Sequence, residues 1–150
     1  MQSPYQPPQA RVADAAEAAR RPKPPAVRRA VLVFWIGWAL GVASLAPGIR
    51  EGVWDSDVVP TAVTVGLAGT LSLVSAWLIV MVSRGRNWAR WTLVVYIGLT
   101  WALLASDPQS MVEQGPLALA VDGFIFVMDL YGSVLILFGA GAAWFRPTDP

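Results

Sequence analysis

From Val58 to Val82 no side chain carries a charge, and acidic residues precede the run while Arg84 and Arg86 follow it. A helix lying on a soluble protein keeps a polar face, and a strand in a sheet is far shorter. A run of this length therefore predicts a helix that crosses a membrane. Three more apolar runs accompany it, at 30–46, 88–105 and 124–145. Composition agrees, since 55% hydrophobic against 14% charged leaves too few charges to cover a 150-residue globule in water. The expected fold class is all-α, an integral membrane four-helix bundle. Cys and His are both absent, which removes disulfides, thiolate sites, haem-ligating His and the commonest zinc ligands.

Charge orients the spans. The link Ser83 to Trp91 reads SRGRNWARW and sets Arg84, Arg86 and Arg90 beside Trp88 and Trp91, a turn built for the headgroup layer on the cytoplasmic side. Arg28 and Arg29 stand at the start of the first span in the same role, and Arg90, just inside the third span, is expected to snorkel back to the headgroups. The tail, this turn and the C-terminal end hold ten of the eleven Lys and Arg residues. The other two links hold Arg50 alone, against Glu51, Asp55, Asp57, Asp107 and Glu113. The positive-inside bias then places both termini in the cytoplasm, N-in and C-in. Residues 1–26 contain six of the twelve prolines and almost no large apolar side chain, which predicts a disordered cytoplasmic tail. The domain organisation is that tail, a four-helix domain over 27–146 and a short cytoplasmic end at 147–150.

Small residues mark where helices approach. Gly37 and Gly41 form a GxxxG pair in the first span, which Pro47-Gly48 closes. In the second span Gly66, Gly69, Ser72 and Ala76 keep one side small, with Pro60 in the first turn. The last apolar run, Pro116 to Phe145, is longer as one helix than the roughly 30 Å hydrocarbon core. Its first turns are therefore expected outside the lipid, leaving 124–145 within it, with Gly132, Ser133, Ile136 and Gly139 on the packing stripe. An internal echo also appears. Arg29 to Pro47 aligns without gaps on Arg90 to Pro108, pairing Leu32 with Leu93 and Gly37 with Gly98 among its identities. Duplication would give two parallel hairpins; shared membrane composition gives the same echo.

The chemistry-bearing residues inside the lipid are Asp122 and Asp129, seven apart and so on nearly the same helix face. Counted from Phe124, Asp129 lies about 8 Å inside the far boundary, level with Thr64, Thr100 and Gly41, and Asp122 lies in the headgroup layer near Arg50. An ionised carboxylate in mid-membrane costs about 2.5 to 3.5 kcal/mol on insertion scales, so Asp129 is solvated by a cavity, hydrogen-bonded or carries its proton. Two readings stay open. One is a proton or cation site with Thr64 and Thr100 as oxygen donors; the other is a carboxylic acid that serves packing. No nucleophile with its base, phosphate loop or metal spacing is present, so no enzyme activity, cofactor or metal is expected. The basic cluster Arg20, Arg21, Lys23, Arg28 and Arg29 suits the anionic cytoplasmic leaflet and not nucleic acid.

The G-R-N-W-A-R-W turn, the S-P-Y-x-P-P start and the W-F pair ending the last run resemble those of small four-helix bacterial inner-membrane proteins that remain functionally uncharacterised. The likeness covers most of the chain and rests on topogenic motifs; it implies a fold and a bacterial cytoplasmic membrane, and no activity. The expected function is that of a non-enzymatic membrane protein acting by helix association, with itself or with another membrane protein. The alternative is a small proton- or cation-linked transporter or channel using Asp129.

Overall fold

The structure is a computed structural model and describes residues 22–50, 60–107 and 115–146. The expectations for the proline-rich tail before residue 22, for the acidic links at 51–59 and 108–114, and for the C-terminal end fall outside the described residues. Within them the chain is all-helical: α1 Pro25–Arg50, α2 Thr61–Ser83, α3 Asn87–Ser106, α4 Pro116–Leu137 and α5 Gly139–Trp144. Each of the first four contains a segment of 20 or 22 residues long and apolar enough to span a membrane. At 1.5 Å per residue these segments reach about 30 to 33 Å, the thickness of the hydrocarbon. The chain is a multi-pass membrane protein.

Three of the four expected spans depart from the sequence reading at their boundaries. α1 starts at Pro25, where a proline at a helix start gives up no hydrogen bond that the helix would have used, and Arg28 N–H already donates to Pro24 O at 3.1 Å. It also runs past Pro47 to Arg50, because a proline this near the end removes a single bond of the ladder. Pro60 lies one position before α2, at its N-cap, and not in its first turn. The largest departure is in the last apolar run, which is two helices. Phe138 is extended (φ −123°, ψ 159°) and Gly139 takes a left-handed φ of +60° that a side chain would resist. The excess length is thus absorbed by a break near the end of the run; its first turns belong to the span, which extends from Pro116 to Leu137.

In cross-section the helices follow the order α1, α2, α3, α4, with α4 returning to pack extensively on α1, while the diagonal pairs make no close backbone approach. The buried core lies at the end where the Arg84–Arg86 turn sits: Phe34 on α1, Leu78 and Val82 on α2, Leu93 on α3 and Ile136 on α4. Lipid offers apolar side chains no less favourable a home than a neighbouring helix does, so helices hold together where shapes interlock. Phe34 and Gly132 are such a place, since a methyl on Gly132 would stand 2.7 and 2.8 Å from the Phe34 ring carbons. α5 folds over this same end and closes it, with Phe145 buried in the core and the Trp144 ring lying over Gly85. Gly85 turns the chain between α2 and α3 at φ +79°.

The internal echo does not survive as a structural repeat. Leu32 is 60% exposed while its counterpart Leu93 is 1% exposed, and Gly37 is buried while Gly98 faces outward.

Candidate functional site

Between the four long helices, directly above the floor made by Phe34, Ile79 and Leu93, lies a cavity of about 170 Å³. α4 brings Asp129 to its wall because Gly132, Ser133 and Ile136, three, four and seven residues further on, are the buried face of that helix. α3 presents Tyr96 and Thr100, α1 presents Gly37, Trp38 and Gly41, and α2 presents Ser72 and Ser75. Most of the remaining wall is aliphatic. Space of this size holds several water molecules or one small organic group.

The Asp129 carboxylate has two unlike oxygens. Oδ2 accepts a hydrogen bond from Trp101 Nε1 at 3.0 Å. Oδ1 lies toward α1, where a methyl on Gly37 would meet it at 3.7 Å. Among the described residues no Lys or Arg pairs with this carboxylate. One N–H donor does not balance a full negative charge in a low-dielectric surrounding, so the charge is offset by water in the cavity, by a proton or by a bound cation. The neighbouring polar groups are held away from it. Trp38 Nε1 donates to Ser72 O at 2.9 Å and Tyr96 O–H donates to Leu71 O at 3.1 Å, so α1 and α3 both grip the same turn of α2. Thr100 O–H donates to Tyr96 O at 2.9 Å along its own helix, which leaves its oxygen as an acceptor. Among the described residues no three His, Cys, Asp or Glu side chains gather in one place.

The structure redistributes the residues singled out from the sequence. Asp129, Thr100, Gly37 and Gly41 share the cavity, and Thr64 does not, because it lies two turns along α2 from Ser72. Asp122 is half-buried two turns from Asp129, outside the cavity wall. α4 starts at Pro116, which puts Asp122 about 9 Å and Asp129 about 20 Å along the helix from its first residue. Gly66 and Gly69 face outward, and a Cβ on either meets nothing within 4 Å; Gly139 breaks the helix and packs against nothing. Gly141 is the tighter position, since a Cβ there would strike the Leu135 carbonyl oxygen.

At the other end, Arg28, Arg29, Arg84, Arg86, Trp88 and Trp91 are exposed around the bundle end, with Trp88 against Trp77 at 5.4 Å between ring centroids. Arg90 does not snorkel outward. It is 8% exposed, lying between the rings of Trp91 and Phe145 at 5.2 and 5.1 Å, and its Nη1 donates to Ala142 O at 3.4 Å. The cause is α5, which folds across the start of α3 and covers the guanidinium with an aromatic face and with the Ala142 carbonyl, which also accepts from Phe145 N–H at 3.3 Å. The sequence gives no pointer to Trp101 or Ser75, and it marks Ser72 as a small packing residue where the structure sets it in the cavity wall. An indole N–H in a span has to find an acceptor, and Asp129 is the strongest one at its level.

Comparison of the chain with protein-family models, with curated proteins and with solved structures finds no match.

Proposed function

We propose that this chain is a multi-pass protein of the bacterial cytoplasmic membrane, with both termini cytoplasmic, that binds a proton or a monovalent cation at Asp129 as a small cation-linked transporter. The orientation rests on the segregation of Lys and Arg, and the bacterial membrane on the likeness of the arginine turn and of the N-terminal motif. The function rests on one observation: a carboxylate without a basic partner among the described residues faces a cavity that is closed on one side by the apolar core. A carboxylic acid that only served packing would be expected to accept at one oxygen and donate its O–H to an acceptor, whereas among the described residues only the Trp101 bond to Oδ2 is formed.

The test is flux in liposomes. Purified protein is expected to carry protons or a monovalent cation down an imposed gradient, and Asp129→Asn, which keeps the shape and loses the charge, is expected to abolish it. Equal flux in wild type and variant, or none in the wild type, ends this reading.

A second reading, helix association with itself or another membrane protein, draws on α2. Gly66 and Gly69 lie bare on its outer side, open to the close approach of another helix. The chain has no native Cys, so Gly69→Cys gives a single labelling site. Cross-linked dimers in native membranes at low expression support association, and their absence removes it.

A further inference from the structure

We infer that the Asp129 cavity takes a lipophilic organic monocation, of the substituted-ammonium kind, admitted sideways from the bilayer between α3 and α4. This rests on the reading of Asp129 as a cation site and adds the class of ligand and its way in. The ligand class follows from what the wall offers and what it withholds. A dehydrated alkali ion needs a shell of oxygens to replace its water. Here the side-chain oxygens that line the cavity beside Asp129 are four hydroxyls, Ser72 and Ser75 on α2 and Tyr96 and Thr100 on α3, too few and too spread to replace a full hydration shell. A substituted ammonium needs no such shell, because one counter-charge and aromatic surroundings hold it while its alkyl groups fill apolar space. Phe34, Trp38 and Tyr96 line the cavity with Asp129, and most of the rest of the wall is aliphatic.

The entry route follows from the packing. The floor is shut by Phe34, Ile79 and Leu93, with Val82 and Ala89 also buried at that end. Of the neighbouring pairs of long helices, α3 and α4 make the thinnest contact. Across that seam Trp101 bonds to Asp129 and sets its ring edge-on to Phe126 at 5.0 Å. The flanking Leu99, Leu103, Val127 and Leu130 are exposed to the lipid side. The latch and the binding group are therefore one carboxylate: a cation that pairs with Asp129 competes with the indole, and losing the indole bond loosens the seam through which the cation came.

The test uses the full chain in nanodiscs and radiolabelled benzyltrimethylammonium in equilibrium dialysis, with protein-free nanodiscs subtracted. Saturable binding is expected, displaced by the unlabelled cation and not by sodium or by neopentylbenzene, the uncharged isostere. Asp129→Asn is expected to weaken binding at least about tenfold. Gly41→Leu does the same by a separate route, since a Cβ on Gly41 meets nothing within 4 Å and the larger side chain fills the cavity while leaving Asp129 in place. Trp101→Phe, which keeps the ring and removes the latch, is expected to raise the association rate. Displacement by sodium or neopentylbenzene, or binding unchanged in Gly41→Leu, overturns the inference. If sodium or protons exchange in an Asp129-dependent manner and benzyltrimethylammonium does not bind, the organic ligand is excluded and the cation site stands. If nothing binds in an Asp129-dependent manner, both fall.

Discussion

At the end capped by α5, Phe34, Leu78, Val82, Leu93 and Ile136 are almost wholly withdrawn from the surface. Toward the other end, the same helices turn Leu67, Leu71, Leu99, Leu103 and Leu119 outward and leave a cavity between them. Both ends are apolar, so hydrophobicity does not separate them. Shape does: one end has an aromatic ring seated on a bare glycine, a left-handed turn and a short helix folded over the top, and the other has glycines that meet nothing. In lipid, where burial of apolar surface earns little, tight packing has to be assembled from such fits, and a region without them stays open. That contrast puts rigidity at one end and room for a ligand at the other.

Substitutions of glycine by alanine probe this difference with the same chemical change at each site. Gly141→Ala is expected to cost the most, about 3 kcal/mol, because the methyl meets a backbone carbonyl of Leu135 that cannot swing aside. Thermal unfolding in detergent should show it, with loss of the α4–α5 junction. Gly132→Ala pushes against a ring that has some freedom to shift, and a loss of about 1 to 2 kcal/mol is expected by the same measurement. Gly69→Ala, on the open part of α2, is expected to stay within about 0.5 kcal/mol of the parent or to stabilise slightly through helix propensity. A destabilisation at Gly69 as large as that at Gly132 would mean that the outer side of α2 is covered by another chain, and the contrast between the ends would have to be redrawn around an oligomer.

Arg90 shows how far residue-level reading reaches. Its position beside Trp91 at a charged turn marks it as belonging to the membrane boundary, and on a lone helix its stem would lead it outward. What turns it inward is Phe145, more than fifty positions away, brought there by the break at Phe138–Gly139. The break itself had a signal. Glycines at 139 and 141 inside an apolar run near its end are helix-stop residues as readily as packing residues, and reading them as a stop would have returned the right span for α4. The same reading would have put Asp122 and Asp129 about two and four turns into a helix that begins at Pro116. Thr64 was placed beside Asp129 by counting residues from an assumed boundary, and counting carries no information on which way a side chain faces its neighbour.

The number of long apolar helices, the limits of the second and third to within a few residues and the identity of Asp129 as the conspicuous group within them were all set by local sequence. Each depends only on whether a stretch of chain prefers hydrocarbon to water. Which helices touch, which end is closed, and that the partner of Asp129 is Trp101 and not a threonine were decided by tertiary structure. Those outcomes turn on contacts between residues distant in sequence, where a ring fits over a glycine or an indole reaches a carboxylate, and hydropathy is silent about them.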